Sequence, residues 1–257
     1  MNIVRLCGGL GNQLFQYAFG EAMRNVGTNV IYDISWYEKK KDINRFYLLN
    51  KFKTNVIFNV SQQYQKSIRE KNFNLKLIYT DGYSLMGYWQ SPLFFQKIES
   101  TLHDEFSVKE ENYTVQYLKI KREIQNSNSI SIHIRRGDYL THKNHLVLPL
   151  EYYYNALKLI TSLKKDCEVF VFSDDIIWCK KYFPNFHYVG IEDYLELELM
   201  SFCKHNIIAN SSFSWWGAYL NNNPNKVVIA PKRWTVKEGD QELVEKKQLI
   251  LNDWIKL

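Results

Sequence analysis

From residue 130 onward the sequence alternates strand and helix patterns so regularly that few folds can accept it. SIHI at 131–134, EVFVF at 168–172, HYVG at 187–190, NIIA at 206–209 and KVVIA at 226–230 are short apolar runs of strand length. Between them lie segments of helical period at 150–163, 176–183, 194–203 and from about 214. Strands and helices alternating at these lengths predict a parallel sheet with helices on both faces. The opening of the chain repeats the pattern: NIVRL, a glycine turn at 7–11, a helix carrying Leu14, Phe15, Ala18, Phe19, Ala22, Met23 and Val26, a stop at Gly27, and the strand NVIYD. Two Rossmann-like α/β domains are therefore expected. The polar tract at 126–129 is the expected boundary, giving domains 1–127 and 128–257, with the ligand in the cleft between the halves.

The stretch between the two regular parts is harder to read. Short apolar patches, NVIFNV and LKLIYT, alternate with Lys-rich connections, and Lys39, Lys40 and Lys41 form the one tight basic run. GYWQSPLFFQ at 87–96 crowds rings near a proline, and Tyr88, Trp89 and Phe95 are read as packing the first domain. Residues 93–106 have helical period, and 112–125 read as a helix with Val115, Leu118 and Ile124 inward.

Composition narrows the class. With 46% hydrophobic residues the chain is not disordered, and no apolar run of about 18 residues marks a membrane span. No basic-then-apolar leader opens it, so a cytoplasmic protein is expected, with peripheral attachment to the inner membrane face left open by its basic surface. The net charge of +6 favours an anionic partner. Its lysines are scattered and no nucleic-acid-binding motif appears, which argues against nucleic acid. Cys7, Cys167, Cys179 and Cys203 lie far apart without CxxC spacing, so buried free thiols are expected rather than zinc or disulfides.

The residues that carry chemistry fall at strand ends. Ile130, Ile132 and Ile134 alternate with Ser131 and His133, and Gly137 breaks the run, so Arg135 and Arg136 stand at the end of a core strand. Open α/β sheets bind ligands beyond the carboxyl ends of their strands, and guanidinium forks suit phosphate or carboxylate. The alternative is that Asp138 pairs with one arginine and fixes the turn. Ser173, Asp174 and Asp175 end the next strand, and NSSFS at 210–214 ends a third and opens a helix. Each alone reads as an N-cap. All three on one sheet edge also make a phosphate site, where serine hydroxyls and helix N–H groups meet an anion. Gly8, Gly9 and Gly11 miss the dinucleotide fingerprint, but let backbone approach a ligand; Asn12 either reaches that ligand or caps the helix.

HIRRGDY at 133–139, GGLGNQLFQYA at 8–18 and CKHNIIANSSFSWWGAYL at 203–220, with GYWQS at 87–91 and FSDD at 172–175, resemble the α-1,2-fucosyltransferases of glycosyltransferase family eleven. The resemblance spans most of the chain. It implies a GT-B arrangement of two Rossmann-like domains, a GDP-fucose donor, a galactose-containing acceptor glycan, transfer to the galactose 2-hydroxyl with inversion, and no metal. The sequence has no Asp-x-Asp, and Glu196 and Glu198 lie two apart on an expected helix, where side chains diverge.

Roles for individual residues follow from the same resemblance. Arg135 and Arg136 meet the charge developing on GDP, with Arg136 preferred at the β-phosphate, helped by Ser212, the Phe213 N–H and Ser214. His133 lies beside the nucleotide. Glu196 reads guanine, Asp174 takes the ribose hydroxyls, and Gly9, Gly11 and Asn12 border fucose and acceptor. Asp138, His142, His145 and Glu151 all follow the arginine strand as candidates for the general base, unless a loose transition state needs none.

Overall fold

The computed structural model of the chain describes residues 1–39, 45–57 and 66–257. Lys40 and Lys41, and the second half of the NVIFNV patch, residues 58–60, lie outside the described residues. Two compact units divide the chain: residues 1–109 with 245–249, and residues 110–244 with 250–257.

The first unit is built from β1 (Asn2–Arg5), α1 (Leu10–Asn25), β2 (Val30–Asp33), α2 (Ser35–Glu38), β3 (Ser67–Arg69), β4 (Ser84–Met86) and α3 (Glu99–Glu105). Its four strands are parallel, in the order β2-β1-β4-β3. The helical period of α1 buries Leu14, Phe15, Ala18, Phe19, Ala22 and Met23, as expected, and Gly27 stops it in a left-handed turn at φ 91. Gly9, not Asn12, stands at the N-cap. The expected helix over 93–106 is broken into two 3₁₀ turns, Pro92–Phe94 and Gln96–Ile98, before α3 begins. Phe95 leaves helical backbone, at φ −124, to bury its ring against Phe15. LKLIY forms another 3₁₀ turn, while the short β4 had no legible strand period.

The second unit holds α4 (Val115–Asn126), β5 (Asn128–Ile134), α5 (Leu150–Leu163), β6 (Cys167–Ser173), α6 (Ile176–Tyr182), β7 (His187–Val189), α7 (Asp193–Phe202), β8 (His205–Ile207), α8 (Ser212–Tyr219), β9 (Val228–Ala230), α9 (Glu238–Lys246) and β10 (Ile255–Lys256). The expected alternation is present, and α9 and β10 extend it. All strand pairs are parallel, in the order β10-β9-β8-β5-β6-β7. Ile130, Ile132 and Ile134 pack with Tyr152, Tyr153, Ala156 and Ile160 of α5 and Cys179 of α6 on one face. On the other, Ser131 accepts a 2.7 Å bond from Asn206, whose amide also reaches the Met200 carbonyl of α7. The sheet is thus covered on both faces.

The division falls at 109/110 rather than 127/128, because α4 packs on α7. Tyr117 hydroxyl donates to buried Glu198, and the Lys121 ammonium lies 4.2 Å from the Phe202 ring centroid. This turns the inward face of α4 as well. Tyr117 and Ile124 are buried, whereas Val115 is 87% exposed and Leu118 is exposed. Cys179 and Cys203 are buried; Cys7 and Cys167 are only half-buried, and all four are free thiols. Among the described residues no helix is long and apolar enough to cross a membrane.

Candidate functional site

Counted within the second unit, the six strands run in the order 6-5-4-1-2-3, the doubly wound order read from its other edge. Its first strand is β5 and its fourth is β8, and they are neighbours: Ile130 pairs with His205 and Ile132 with Ile207. Connections leave these two strands in opposite directions, which opens a crevice at their carboxyl ends. HIRRGD ends one of them and NSSFS follows the other. The two motifs that most attract attention in the sequence therefore meet at the switch point. Tyr139 ties them together, its hydroxyl donating to the Asn210 carbonyl at 3.0 Å.

The two arginines differ in how they are held. Both terminal amino groups of Arg135 are engaged: Nη2 bonds Asp138 at 2.6 Å and Nη1 bonds Asp174 at 3.0 Å, with the Tyr139 ring beneath it. Arg136 gives only its Nε to Asp175, at 3.1 Å, and its guanidinium lies 4.1 Å from the Trp178 ring centroid. Its two terminal amino groups have no hydrogen-bond partner among the described residues. That leaves the forked edge of Arg136 as the one arginine edge in this turn ready for an anion.

Asp174, which the resemblance assigns to the ribose, uses both carboxylate oxygens to hold the turn. One oxygen accepts the Arg136 N–H at 2.9 Å and the other takes Arg135. Gly137 is required beside it, since a β-carbon there would stand 2.5 Å from Asp174 Oδ2. Asp138 likewise fixes the turn, being bound to Arg135. Asp175 takes the N-cap role that its strand end suggested, whereas Trp178, three residues on, escaped notice in the sequence. Asp175 Oδ1 accepts from Trp178 N–H at 3.1 Å to cap α6, leaving Oδ2 for Arg136.

His133 is buried at 4% exposure, its ring centroid 5.5 Å from that of Phe213 in the first turn of α8. Its Nδ1 is among the buried polar atoms without a hydrogen-bond partner. Burial and then the Arg135 charge push its pKa down to about 3, so the ring is neutral. Ser211 caps α8 by accepting from the Phe213 N–H at 3.4 Å. Ser214 is buried and its hydroxyl faces the Ala209 and Ser211 carbonyls, so it serves the strand-to-helix turn. Ser212 opens the helix.

Glu196 lies in the first turn of α7, where it accepts from Ile191 N–H at 3.1 Å. Burial lifts its pKa to about 8, against the bond from Ile191, with Asp193 and Glu192 adding to the rise. His142, His145 and Glu151 are exposed, and His145 stacks on Tyr139 with centroids 4.4 Å apart.

Gly9, Gly11 and Asn12 belong to the first unit, at the carboxyl end of β1. Gly8 has φ +81, a left-handed backbone that glycine adopts freely. The turn is tied down by buried amides: Gln16 accepts from Cys7 N–H at 2.9 Å and donates to the Gly87 carbonyl at 3.0 Å. Gln13 donates to the Phe46 carbonyl at 2.8 Å, and Gln90 donates to Asn12 Oδ1 at 2.7 Å.

Two parallel open α/β units, one with paired arginines at its switch point, have the fold class of GT-B proteins. The chain matches the family described as glycosyl transferase family 11 over residues 1–257, and it belongs to that family. It is 32% identical over 304 residues to the O-antigen biosynthesis glycosyltransferase WbnK of Escherichia coli, covering 98% of this chain and 99% of that protein. It is also 32% identical over 280 residues to an alpha-1,2-colitosyltransferase of Escherichia coli, covering 92% and 93%. Among solved structures it resembles NodZ alpha-1,6-fucosyltransferase soaked with GDP-fucose, at a TM-score of 0.54 and 14% identity over 85% of this chain and 91% of that one. NodZ comes from Bradyrhizobium, and at this identity the likeness is one of fold.

Proposed function

We propose that the protein transfers L-fucose from GDP-β-L-fucose to the 2-hydroxyl of a terminal galactose, with inversion and without a metal. The observation that carries this reading is the open guanidinium edge of Arg136 in the turn after β5, together with the unpartnered Nδ1 of buried His133 beside Phe213 of α8. Breaking the bond from fucose C1 to the β-phosphate oxygen puts negative charge on GDP. A fixed cation and N–H donors at a switch point stabilise that charge without reorganising, often the largest catalytic term. Arg135 acts through the turn, held with Asp138 and Asp174 so that Arg136 keeps its direction. Glu196, as a carboxylate, accepts the N1–H and N2–H₂ edge of guanine.

The general base is left open among His142, His145 and Glu151. Asp138 is already committed to Arg135. The alpha-1,2-colitosyltransferase relative favours a second reading, in which the same site transfers colitose, the 3-deoxy relative of fucose.

GDP release on mixing the protein with GDP-fucose and lactose, with and without EDTA, tests the reading. Release that requires lactose and ignores EDTA is expected. Release that EDTA abolishes would overturn metal independence. Absence of release from GDP-fucose, with release from GDP-colitose, would select the second reading.

A further inference from the structure

The carboxyl edge of the first unit carries a built surface that the chemistry of the arginine turn leaves unused. β1 and β4 are neighbours, Ile3 beside Ser84 and Val4 beside Leu85, so their following loops emerge together. One is the glycine turn; the other is Tyr88, Trp89 and Gln90. Three side chains lie over the two adjacent glycines. A β-carbon on Gly8 would stand 2.9 Å from Asn12 Nδ2 and 3.6 Å from the Tyr88 ring, and one on Gly9 would stand 3.1 Å from Arg45 Nη1. The glycines are thus what lets an aromatic ring, an amide and a guanidinium close over one turn.

Tyr88 does not pack the domain as its sequence neighbourhood suggested. Trp89 is fully buried and stacks on Phe19 with centroids 4.4 Å apart, whereas Tyr88 is 47% exposed. The backbone is forced to make this division. Trp89 takes a left-handed φ of 53, rare for a bulky residue, and strain of this kind persists only where the surroundings impose it. Glu70 imposes it here, its Oε2 accepting the N–H of both Tyr88 and Trp89 at 2.8 and 2.9 Å while Oε1 pairs with Lys247. Tyr88 is therefore held outward, and Gln90 is held on Asn12.

We propose that Tyr88 is the stacking platform of the acceptor-sugar subsite, taking the apolar face of a neutral pyranose whose hydroxyls bond Arg45 and the Asn12–Gln90 amide pair. An exposed aromatic ring flanked by fixed polar groups suits a ring that is apolar on its C–H face and polar at its rim. This assignment rests on the transferase reading above and names the substrate class of its acceptor side.

Saturation-transfer NMR of lactose with the intact protein tests it, with GDP-induced thermal stabilisation measured on the same samples. Wild type and Tyr88→Phe should transfer saturation to the galactose ring protons, and Tyr88→Ala should bind lactose roughly five- to tenfold more weakly. GDP should raise the melting temperature equally in all three. Lactose binding retained in Tyr88→Ala, or absent from wild type, would overturn the platform. Should GDP fail to stabilise wild type, the transferase reading falls instead, and a Tyr88-dependent lactose signal would still mark a sugar site.

Discussion

At the scale of single residues the electrostatics are asymmetric. Arg136 keeps an open edge where Arg135 has none, so Arg136→Ala should lower kcat roughly 10²–10³-fold with the fold intact. Near-normal turnover by a folded variant, followed as GDP release, would remove Arg136 from the chemistry. Glu196 supplies a pH signature. Buried and neutral below about 8, it must lose its proton to accept from guanine. GDP affinity should therefore climb with pH, approaching tenfold per unit below 8, with one proton released per GDP bound, and then level off. Glu196→Gln should flatten the profile in calorimetry between roughly pH 6.5 and 8.5; a wild-type profile already flat there would exclude Glu196 from the base. The same group also affects stability. Its folded pKa lies above the group's ordinary value of 4.5, so the folded state keeps a proton the unfolded chain loses. Its contribution to stability is accordingly present at low pH and lost as pH rises from about 4.5 to about 8.

At the scale of elements, α6 works as a positioning device. Its N-cap carboxylate and first-turn tryptophan grip one guanidinium from two sides. A cation–π contact of this kind is worth about 0.5–2 kcal/mol, so Trp178→Leu should lower kcat/KM roughly 2- to 30-fold, with Trp178→Phe recovering most of it. Loss of helix α6 without such a graded effect would mean that Trp178 only packs. This device shows what was legible in the sequence. The alternation of β5 to β9 with their helices could be read from period alone, and so could the arrival of HIRRGD and NSSFS at strand ends. Which of Asp174 and Asp175 faces which arginine could not, because the two are adjacent in sequence and are sorted only by the register of β5 against β6. The inward face of α4 escaped for a related reason. Val115 and Leu118 are the more apolar choice, but Tyr117 wins through its bond to Glu198, a partner 81 residues away.

At the scale of the whole molecule, the last residues return to both units: 245–249 belong to the first and 250–257, with β10, to the second. No pattern in the sequence marks which of these residues joins which unit. The tie to the first unit is Lys247, whose ammonium pairs with Glu70 at 2.6 Å while its carbonyl accepts from Ser91. Both side chains of the pair are about nine-tenths buried. Removing one partner strands the other charge away from water, at a cost of about 3–5 kcal/mol, whereas replacing both with apolar groups of similar volume removes most of that penalty. Lys247→Met should therefore destabilise the first unit and loosen the turn that holds Tyr88, while Lys247→Met with Glu70→Leu should regain part of the stability but leave Tyr88 and Trp89 N–H groups unpaired. Hydrogen exchange reads the two units separately. Faster exchange in β1, β4 and the backbone of 88–90, with β5 and β8 unchanged, is the expected pattern for the single variant. Equal loss of protection in both units would instead make the C-terminal return a determinant of global stability.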